Sequence, residues 1–194
     1  MHPFRRYIRT YSDLSDKDWT LVCSALSRKE YSVGELILKG GQICRKLYFL
    51  EDGFLRYWIN RDGVEVTKYF TEPPYCFTSQ RSLTKEIPSN DNIEVLEEAI
   101  VWEMDKQDAF GLLRLPSWSE FVRKLIQEVQ YSTEEILEAI QNQTAEARYI
   151  EMIETNDIIL QKAPQKYIAS YLGIAPQSLS RIRKKFLVDQ RKLT

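Results

Sequence analysis

The chain has few of the residues on which metal centres and nucleophilic catalysis depend. It contains three cysteines and one histidine in 194 residues. Cys23, Cys44 and Cys76 are widely spaced, no CxxC pair occurs, and the histidine is His2. Zinc sites and cysteine-ligated clusters need several close ligands, and Ser–His or Cys–His catalysis needs a placed imidazole. We therefore expect no metal site, no cofactor, no catalytic residues and three reduced, mostly buried thiols.

Long apolar runs are also missing. No segment approaches the roughly 20 apolar residues that a membrane-spanning helix needs. The first residues, MHPFRRYIRTYSDLSDKDW, lack the apolar stretch of a signal peptide. The sequence thus predicts no membrane partner and a cytoplasmic location. Hydrophobic residues make up 43% of the chain, which is enough to bury a core in one large domain or in a medium and a small one.

Charge is distributed unevenly along the chain. The net charge is −1, but the segment from Lys162 onward holds eight basic residues against one acidic residue, Asp189. That segment therefore carries +7 and residues 1–161 carry −8. Such asymmetry is typical of a polyanion-binding end attached to a neutral-to-acidic body.

The basic end contains a pattern typical of two short helices joined by a tight turn. Residues 164–186 read PQKYIASYLGIAPQSLSRIRKKF. The first helix is predicted over Gln165 to Leu172, and Gly173 supplies the turn because glycine adopts left-handed backbone conformations easily. Pro176 can open the second helix, where a missing N–H costs nothing.

The second helix has an apolar stripe and a basic face. The stripe consists of Leu179, Ile182 and Phe186. The opposite face carries Gln177, Arg181 and Lys184, flanked by Ser178 and Lys185. Arginine can pair bidentately with guanine and glutamine with adenine, while lysines can meet phosphate. The pattern indicates a DNA recognition helix; a surface hairpin with a solvated basic face is the alternative, and the charge asymmetry favours DNA.

The preceding chain predicts a helix followed by a glycine-punctuated β domain. Residues 14–29 form an amphipathic pattern that Ser15 can cap. Short aromatic and β-branched runs follow, with a strong hairpin signal at Arg61-Asp62-Gly63. The polar segment 72–92 is expected to be a ligand-facing loop or short helix, and Ile93–Met104 is expected to form two strands. The fold class is α+β, with an N-terminal jelly roll or β-roll.

A long helix is predicted from Ser117 to Gln143. Its apolar seam steps alternately by four and three residues, through Trp118, Val122, Leu125, Val129, Ser132, Ile136 and Ala139. The seam fits a homodimer interface; packing along the β domain of the same chain is the alternative. Thr144 can cap a further helix, after which NDIILQKAP reads as a loop. We expect a β-roll sensor domain over residues 1–116, a dimerisation helix over 117–143 and a helix-turn-helix domain over 144–194.

This order of elements resembles the Crp/Fnr family of bacterial transcription regulators. The most specific part is QKYIASYLGIAPQSLSRIRKK, which resembles the DNA-binding motif of Bacteroidetes-type members. In the β domain the resemblance rests on Gly34-Glu35, Leu47-Tyr48-Phe49-Leu50, Gly53, and Asp62-Gly63 with Glu65. It implies a homodimeric, sequence-specific DNA-binding regulator with double-stranded DNA, at a pseudo-palindromic site, and RNA polymerase as partners.

The resemblance also implies roles for residues of the basic end. Gln177, Arg181 and Lys184 would read bases and phosphates, in agreement with the face geometry. Gln165 and Lys166, at the start of the first helix, would contact phosphate. Pro176 stands where some relatives carry a base-reading arginine, so we expect a different preferred DNA sequence. Little sequence follows the recognition helix, so the family's C-terminal β-hairpin is expected to be reduced or missing.

The nucleotide pocket of the family is altered in this sequence. Relatives that bind cyclic nucleotides use a Gly-Glu pair for the ribose and an Arg-Ser pair for the cyclic phosphate. The matching stretches here are Phe77, Thr78 and Ser79 and then Ser89 and Asn90, while Ser132 and Thr133 match long-helix positions that face the base. Loss of the arginine removes a charge-assisted contact worth roughly 1.5–3 kcal/mol. We therefore expect a degenerate pocket that does not bind cAMP, with an unknown small-molecule effector.

Two other functions remain open at this point. The chain could be a small-molecule sensor that acts through a protein partner, with the basic end as a docking surface. An enzyme built on a cupin-like roll is a weaker alternative, because the roll lacks the histidines that would hold its metal.

Overall fold

A computed structural model describes residues 1–155 and 157–192. The chain begins with helices α1 (Pro3–Ile8) and α2 (Asp16–Ser24), and Ser15 Oγ accepts a hydrogen bond from the N–H of Asp18 at 3.1 Å, as the predicted cap requires. The predicted helix over residues 14–29 is nevertheless too long. From Leu26 the chain is a strand whose six residues all pair with a long strand of the sheet, and this pairing outweighs the local helical pattern.

The described residues form one six-stranded antiparallel sheet, curled into a roll. Its central strands are β3 and β6, flanked by β1 and β4, while β2 pairs with β6 and β5 with β3. The strands are β1 (Leu26–Tyr31), β2 (Leu36–Leu38), β3 (Lys46–Arg61), β4 (Val64–Thr71), β5 (Tyr75–Phe77) and β6 (Asp91–Asp105). The two strands expected within Ile93–Met104 are one strand, β6. The β3–β6 register shifts around Gly53, so the strand bends there without being interrupted.

The predicted hairpin joins β3 to β4. Arg61 pairs with Val64 across the two-residue turn Asp62-Gly63. Both turn residues have positive φ angles, 53° and 84°, as a type I′ turn requires. The β-roll expected from the sequence is thus confirmed, together with its tightest turn.

Helices connect and follow the strands. The segment expected to be a loop or short helix contains β5 and α3 (Gln80–Lys85), and α4 (Lys106–Gly111) with a 3-10 turn (Leu112–Arg114) follows β6. The long helix, α5, spans Pro116–Asn142 as predicted. Its first turns pack on the roll, where Trp118 and Phe121 are fully buried. Its later turns expose a row of apolar side chains: Ile126, Val129, Ile136, Leu137 and Ile140.

The remaining helices form the basic end. They are α6 (Ala145–Thr155), α7 (Asp157–Lys162), α8 (Gln165–Leu172) and α9 (Pro176–Lys192). Thr144 Oγ1 caps α6 by accepting from the N–H of Ala147 at 3.1 Å. Helix α7 lies in the segment expected to be a loop, because its apolar residues Ile159 and Leu160 pack onto the shared core below. Asn156, Leu193 and Thr194, which belong to the predicted helix-turn-helix domain, lie outside the described residues.

One apolar cluster joins the basic end to the roll. Phe54 and Phe70 of the roll pack with side chains of α6, α8 and α9, among them Tyr149, Met152, Ile168, Leu172 and Leu179. Over the described ranges, none of the helices combines the length and apolarity needed to span a bilayer.

Candidate nucleic-acid interface and ligand pocket

The turn between α8 and α9 has the geometry that fixes two helices at an angle. Gly173 has φ +71°, and a Cβ placed there would meet nothing within 4 Å, so backbone conformation alone favours glycine. The N–H of Ile174 donates to the carbonyl of Ala169 at 3.0 Å and closes the end of α8. Leu172 and Leu179 are almost fully buried on the inner side of the pair. The apolar stripe of α9 therefore faces inward and the basic face is left at the surface.

The predicted DNA-reading residues lie on this surface. Gln177, Arg181, Lys184 and Lys185 are exposed on α9, and Ser178 is half-buried beside them. Arg181 Nη2 donates to Ser178 Oγ at 3.2 Å, which orients the guanidinium. Lys185 Nζ lies 2.7 Å from Glu146 Oε1 of α6.

The two residues assigned to phosphate contact begin the first helix of the pair. Gln165 and Lys166 are exposed at the start of α8, and Lys166 Nζ lies 4.6 Å from the centre of the Tyr167 ring. Helix α9 continues to Lys192, so the described part of the chain has no β-hairpin after the predicted recognition helix.

A buried arginine connects α8 to the roll. Arg56 of β3 is fully buried, and its Nη1 lies 2.8 Å from Glu65 Oε2 and 3.0 Å from Glu94 Oε2. Its Nε donates to Thr67 Oγ1 at 2.9 Å, and its guanidinium carbon lies 3.5 Å from the centre of the Tyr167 ring. The sequence analysis did not predict this cluster. The one sequence feature that could have indicated it is an arginine within the aromatic run of β3.

A serine of α8 continues the connection by bonding to the backbone of β4. Ser170 Oγ accepts from the N–H of Thr67 at 2.9 Å and lies 3.2 Å from the carbonyl oxygen of Glu65. These bonds fix the register of α8 on the strand. The first helix of the pair is therefore held on the roll by hydrogen bonds, in addition to the apolar cluster that it shares with α9.

The two stretches that match the nucleotide pocket do meet in the structure. Ser79 Oγ and Ser89 Oγ lie 2.9 Å apart and both side chains are buried. Ser79 Oγ also donates to Asp91 Oδ2 at 3.2 Å, and Asp91 Oδ1 pairs with Lys68 Nζ at 2.8 Å. Asn90, by contrast, is exposed. A carboxylate thus stands beside the two serines and already accepts the hydroxyl of one of them.

Aromatic side chains fill the adjoining interior of the roll. Tyr57 stacks on Tyr69 with ring centres 4.2 Å apart, and Phe77 stacks on Tyr48 at 5.0 Å. Thr78 Oγ1 donates to the carbonyl of Lys46 at 2.9 Å. These residues are packing partners of the protein itself.

The last two predicted pocket residues lie apart from the others. Ser132 and Thr133 are exposed on α5, and Thr133 Oγ1 donates to the carbonyl of Val129 at 2.7 Å. In this single chain they are not brought to Ser79 and Ser89.

A separate cavity of about 330 Å³ opens between the roll and α5. Its walls come mainly from β5, α3, α4 and the first half of α5, with Leu47 of β3 and Tyr69 of β4. Phe77 and Thr78 line it, but the other predicted pocket residues do not. The remaining walls are mostly aliphatic and aromatic, with Leu83, Trp118, Phe121 and Val122 among them.

Comparison with known proteins shows what this chain is similar to. Residues 28–114 match the family described as cyclic nucleotide-binding domain. A curated relative, a cAMP-dependent protein kinase regulatory subunit from Blastocladiella emersonii, is 24% identical over 99 residues, which are 50% of this chain and 24% of the relative. The chain thus spans about a quarter of the length of the curated relatives that it matches.

Solved structures extend the likeness beyond that domain. A protein from Eubacterium rectale, described as a Crp/Fnr-family transcriptional regulator, is 20% identical, with coverage of 91% of this chain and 85% of its own and a TM-score of 0.72. FixK2 from Bradyrhizobium japonicum is 17% identical, with coverages of 85% and 86% and a TM-score of 0.70. Residues 28–114 therefore match a cyclic nucleotide-binding domain, and the chain has the fold seen in solved Crp/Fnr regulators, in agreement with the resemblance expected from the sequence.

Proposed function

We propose that this protein is a homodimeric, sequence-specific DNA-binding transcription regulator that acts with RNA polymerase in the cytoplasm. The observation that carries the proposal is α9, a helix that follows a glycine turn. Leu179 of its apolar stripe is buried, Ile182 and Phe186 are half-buried, and its basic face is exposed. Two such helices in a dimer would enter successive major grooves, about 34 Å apart on a pseudo-palindromic site.

The residues of the interface fall into two groups in this proposal, those that contact bases and those that contact phosphate. Gln177 and Arg181 contact base edges, and Ser178 orients Arg181 through the bond between them. The remaining members, Gln165, Lys166, Lys184 and Lys185, contact phosphate, and the cluster around Arg56 holds α8 in place.

Replacement of Arg181 by alanine should weaken binding to the preferred site by roughly 1–3 kcal/mol and relax the preference at one base position, because a bidentate base contact is lost. The measurement is selection from a random DNA pool, followed by fluorescence anisotropy titration at several salt concentrations. Lys166→Ala is the matched control: it should weaken all sequences alike and reduce the salt slope by about one.

An unchanged sequence preference in Arg181→Ala would contradict the assignment of α9 as recognition helix. If the wild-type protein selected no sequence at any salt concentration, the alternative of a sensor that acts through a protein partner would be favoured.

The dimer is supported by the exposed apolar row on α5. Ile136, Leu137 and Ile140 are 38%, 53% and 54% exposed in the single chain, well beyond the turns that pack on the roll. Such a row on a long helix is typical of pairing with a second copy.

Ile136→Glu should convert the dimer to a monomer at micromolar concentration, because two like charges would face each other at a cost of several kcal/mol. Sedimentation velocity measures the change, and affinity for a palindromic site should fall more than affinity for a half-site. Gln141→Glu places the same charge on an exposed polar position of the helix and should leave the dimer intact. Equal sedimentation of both variants would show that this row is not the interface.

The nucleotide site completes the proposal. We infer that the protein does not bind cAMP, because the Ser79–Ser89 pair is occupied by Asp91 and aromatic rings fill the neighbouring space. An effector of this protein would therefore bind elsewhere in the sensor domain.

A further inference from the structure

We propose that the cavity between α3, α4 and α5 is the effector site, and that it takes an uncharged, mainly apolar small molecule with an aromatic or aliphatic body. The regulatory role of this ligand rests on the proposed function, whereas binding of the ligand to the cavity does not depend on DNA. This site is distinct from the Ser79–Ser89 region.

The shape of the cavity suits a small ligand. Its volume of about 330 Å³ lies at the lower end of the range for ligand pockets. Leu83 of α3 and Val122 and Leu125 of α5 are among its lining residues. Trp118 and Phe121 are fully buried next to them, so the wall on that side is held by the core.

The chemistry of the walls selects a neutral ligand. Among the described residues that line the cavity, none is an aspartate, glutamate, lysine, arginine or histidine. Burial raises the pKa of the Cys76 thiol to about 12, and desolvation also raises the pKa of Tyr75, so both stay protonated and neutral. An ion entering this space would lose its hydration without gaining a partner, and a neutral apolar molecule would not.

The position of the cavity couples it to the rest of the protein. Its outer rim includes Ile126 and Val129, which begin the exposed apolar row of α5. Its other rim includes Thr84 of the short helix α3, which follows the predicted ligand segment. A bound molecule would contact both the sensor domain and the helix that pairs in the dimer.

The test uses N-phenyl-1-naphthylamine, an uncharged dye whose fluorescence rises in apolar surroundings, titrated into the full chain without DNA. We expect saturable binding of one dye per chain. Val122→Trp, which fills the cavity from α5, should weaken binding at least tenfold. Val33→Trp is the matched control, because Val33 is 62% exposed and does not line the cavity, and it should bind as the wild type does. Added cAMP should not displace the dye.

Three results would overturn the proposal: non-saturable binding, equal binding by Val122→Trp, or displacement by cAMP. If Val122→Trp melts earlier or loses its circular dichroism signal, Thr84→Trp at the exposed rim replaces it with the same expectation. Since the readout is dye fluorescence, failure of the protein to bind DNA would refute the proposed function and leave the ligand site standing.

Discussion

Arg56→Ala is expected to lower the free energy of unfolding by about 3 kcal/mol, at the lower end of the effect of breaking a buried ion pair. The guanidinium that is lost lies between two carboxylates, and only one of these carboxylates is exposed enough to be solvated by water in its place. Glu65 is 48% exposed and Glu94 is 17% exposed in its side chain. Glu94 would therefore be left as a poorly solvated, unpaired charge.

The same substitution should loosen α8 as well as destabilise the roll. The guanidinium lies against the face of Tyr167, and this contact is made to the helix that supports α9. Without it, α8 keeps the bonds of Ser170 to β4 and its share of the apolar cluster. Hydrogen exchange at the α8 amides should accelerate, and affinity for the preferred DNA site should fall, because the recognition helix is less precisely held.

Chemical denaturation and hydrogen exchange measure these two effects, with Arg61→Ala as the matched control. Arg61 is an exposed arginine at the end of the same strand, so its loss should change stability little. Arg56→Lys should recover only part of the loss, since an ammonium cannot make the forked contacts of a guanidinium. If the Arg56→Ala and Arg61→Ala variants had equal free energies of unfolding and equal hydrogen exchange in α8, the contact between Arg56 and α8 would not contribute to stability.

The elements that the sequence predicted correctly are those determined by local interactions. Helix α8 has the predicted bounds because its apolar face and Gly173 lie within ten residues of each other. The Asp62-Gly63 turn is equally local. The strand from Leu26 was mistaken for helix because its partner, Met104, is far along the chain and leaves no trace in the local pattern.

The candidate sites also divide into features that follow from local sequence, which were predicted, and contacts between distant segments, which were not. The faces of α9 follow from helical periodicity within one segment. Arg56 and Tyr167 are 111 positions apart, so neither stretch shows the contact by itself. Ser132 lies beyond Val129, the last residue of α5 that lines the cavity, and with about 1.5 Å of rise per residue the helix has left the sensor domain there. Alignment with a family motif gives the position of a residue but not where its helix points.

Gly53→Ala is expected to be the most destabilising of the substitutions, with a loss of about 4 kcal/mol from backbone strain and steric overlap together. Gly53 has φ +110°, and a Cβ there would lie 2.6 Å from Ala99 Cβ and 2.8 Å from the carbonyl oxygen of Glu98. The β3 and β6 backbones must therefore separate, at the point where their register shifts and the sheet bends into a roll.

Gly41→Ala separates the two contributions. Gly41 has a similar positive φ of +88°, but a Cβ there would meet nothing within 4 Å, so only strain of about 1–2 kcal/mol is expected. Urea denaturation of both variants gives the difference, which measures the close approach of the two strands. Equal losses of unfolding free energy in the two variants would mean that β6 can move away from β3 without cost. The close approach of the two strands at Gly53 would then not determine the shape of the roll. Adding Ala99→Gly to Gly53→Ala should restore only part of the stability, because the Glu98 oxygen and the Ala99 Cα, 2.7 Å from the new Cβ, remain in place.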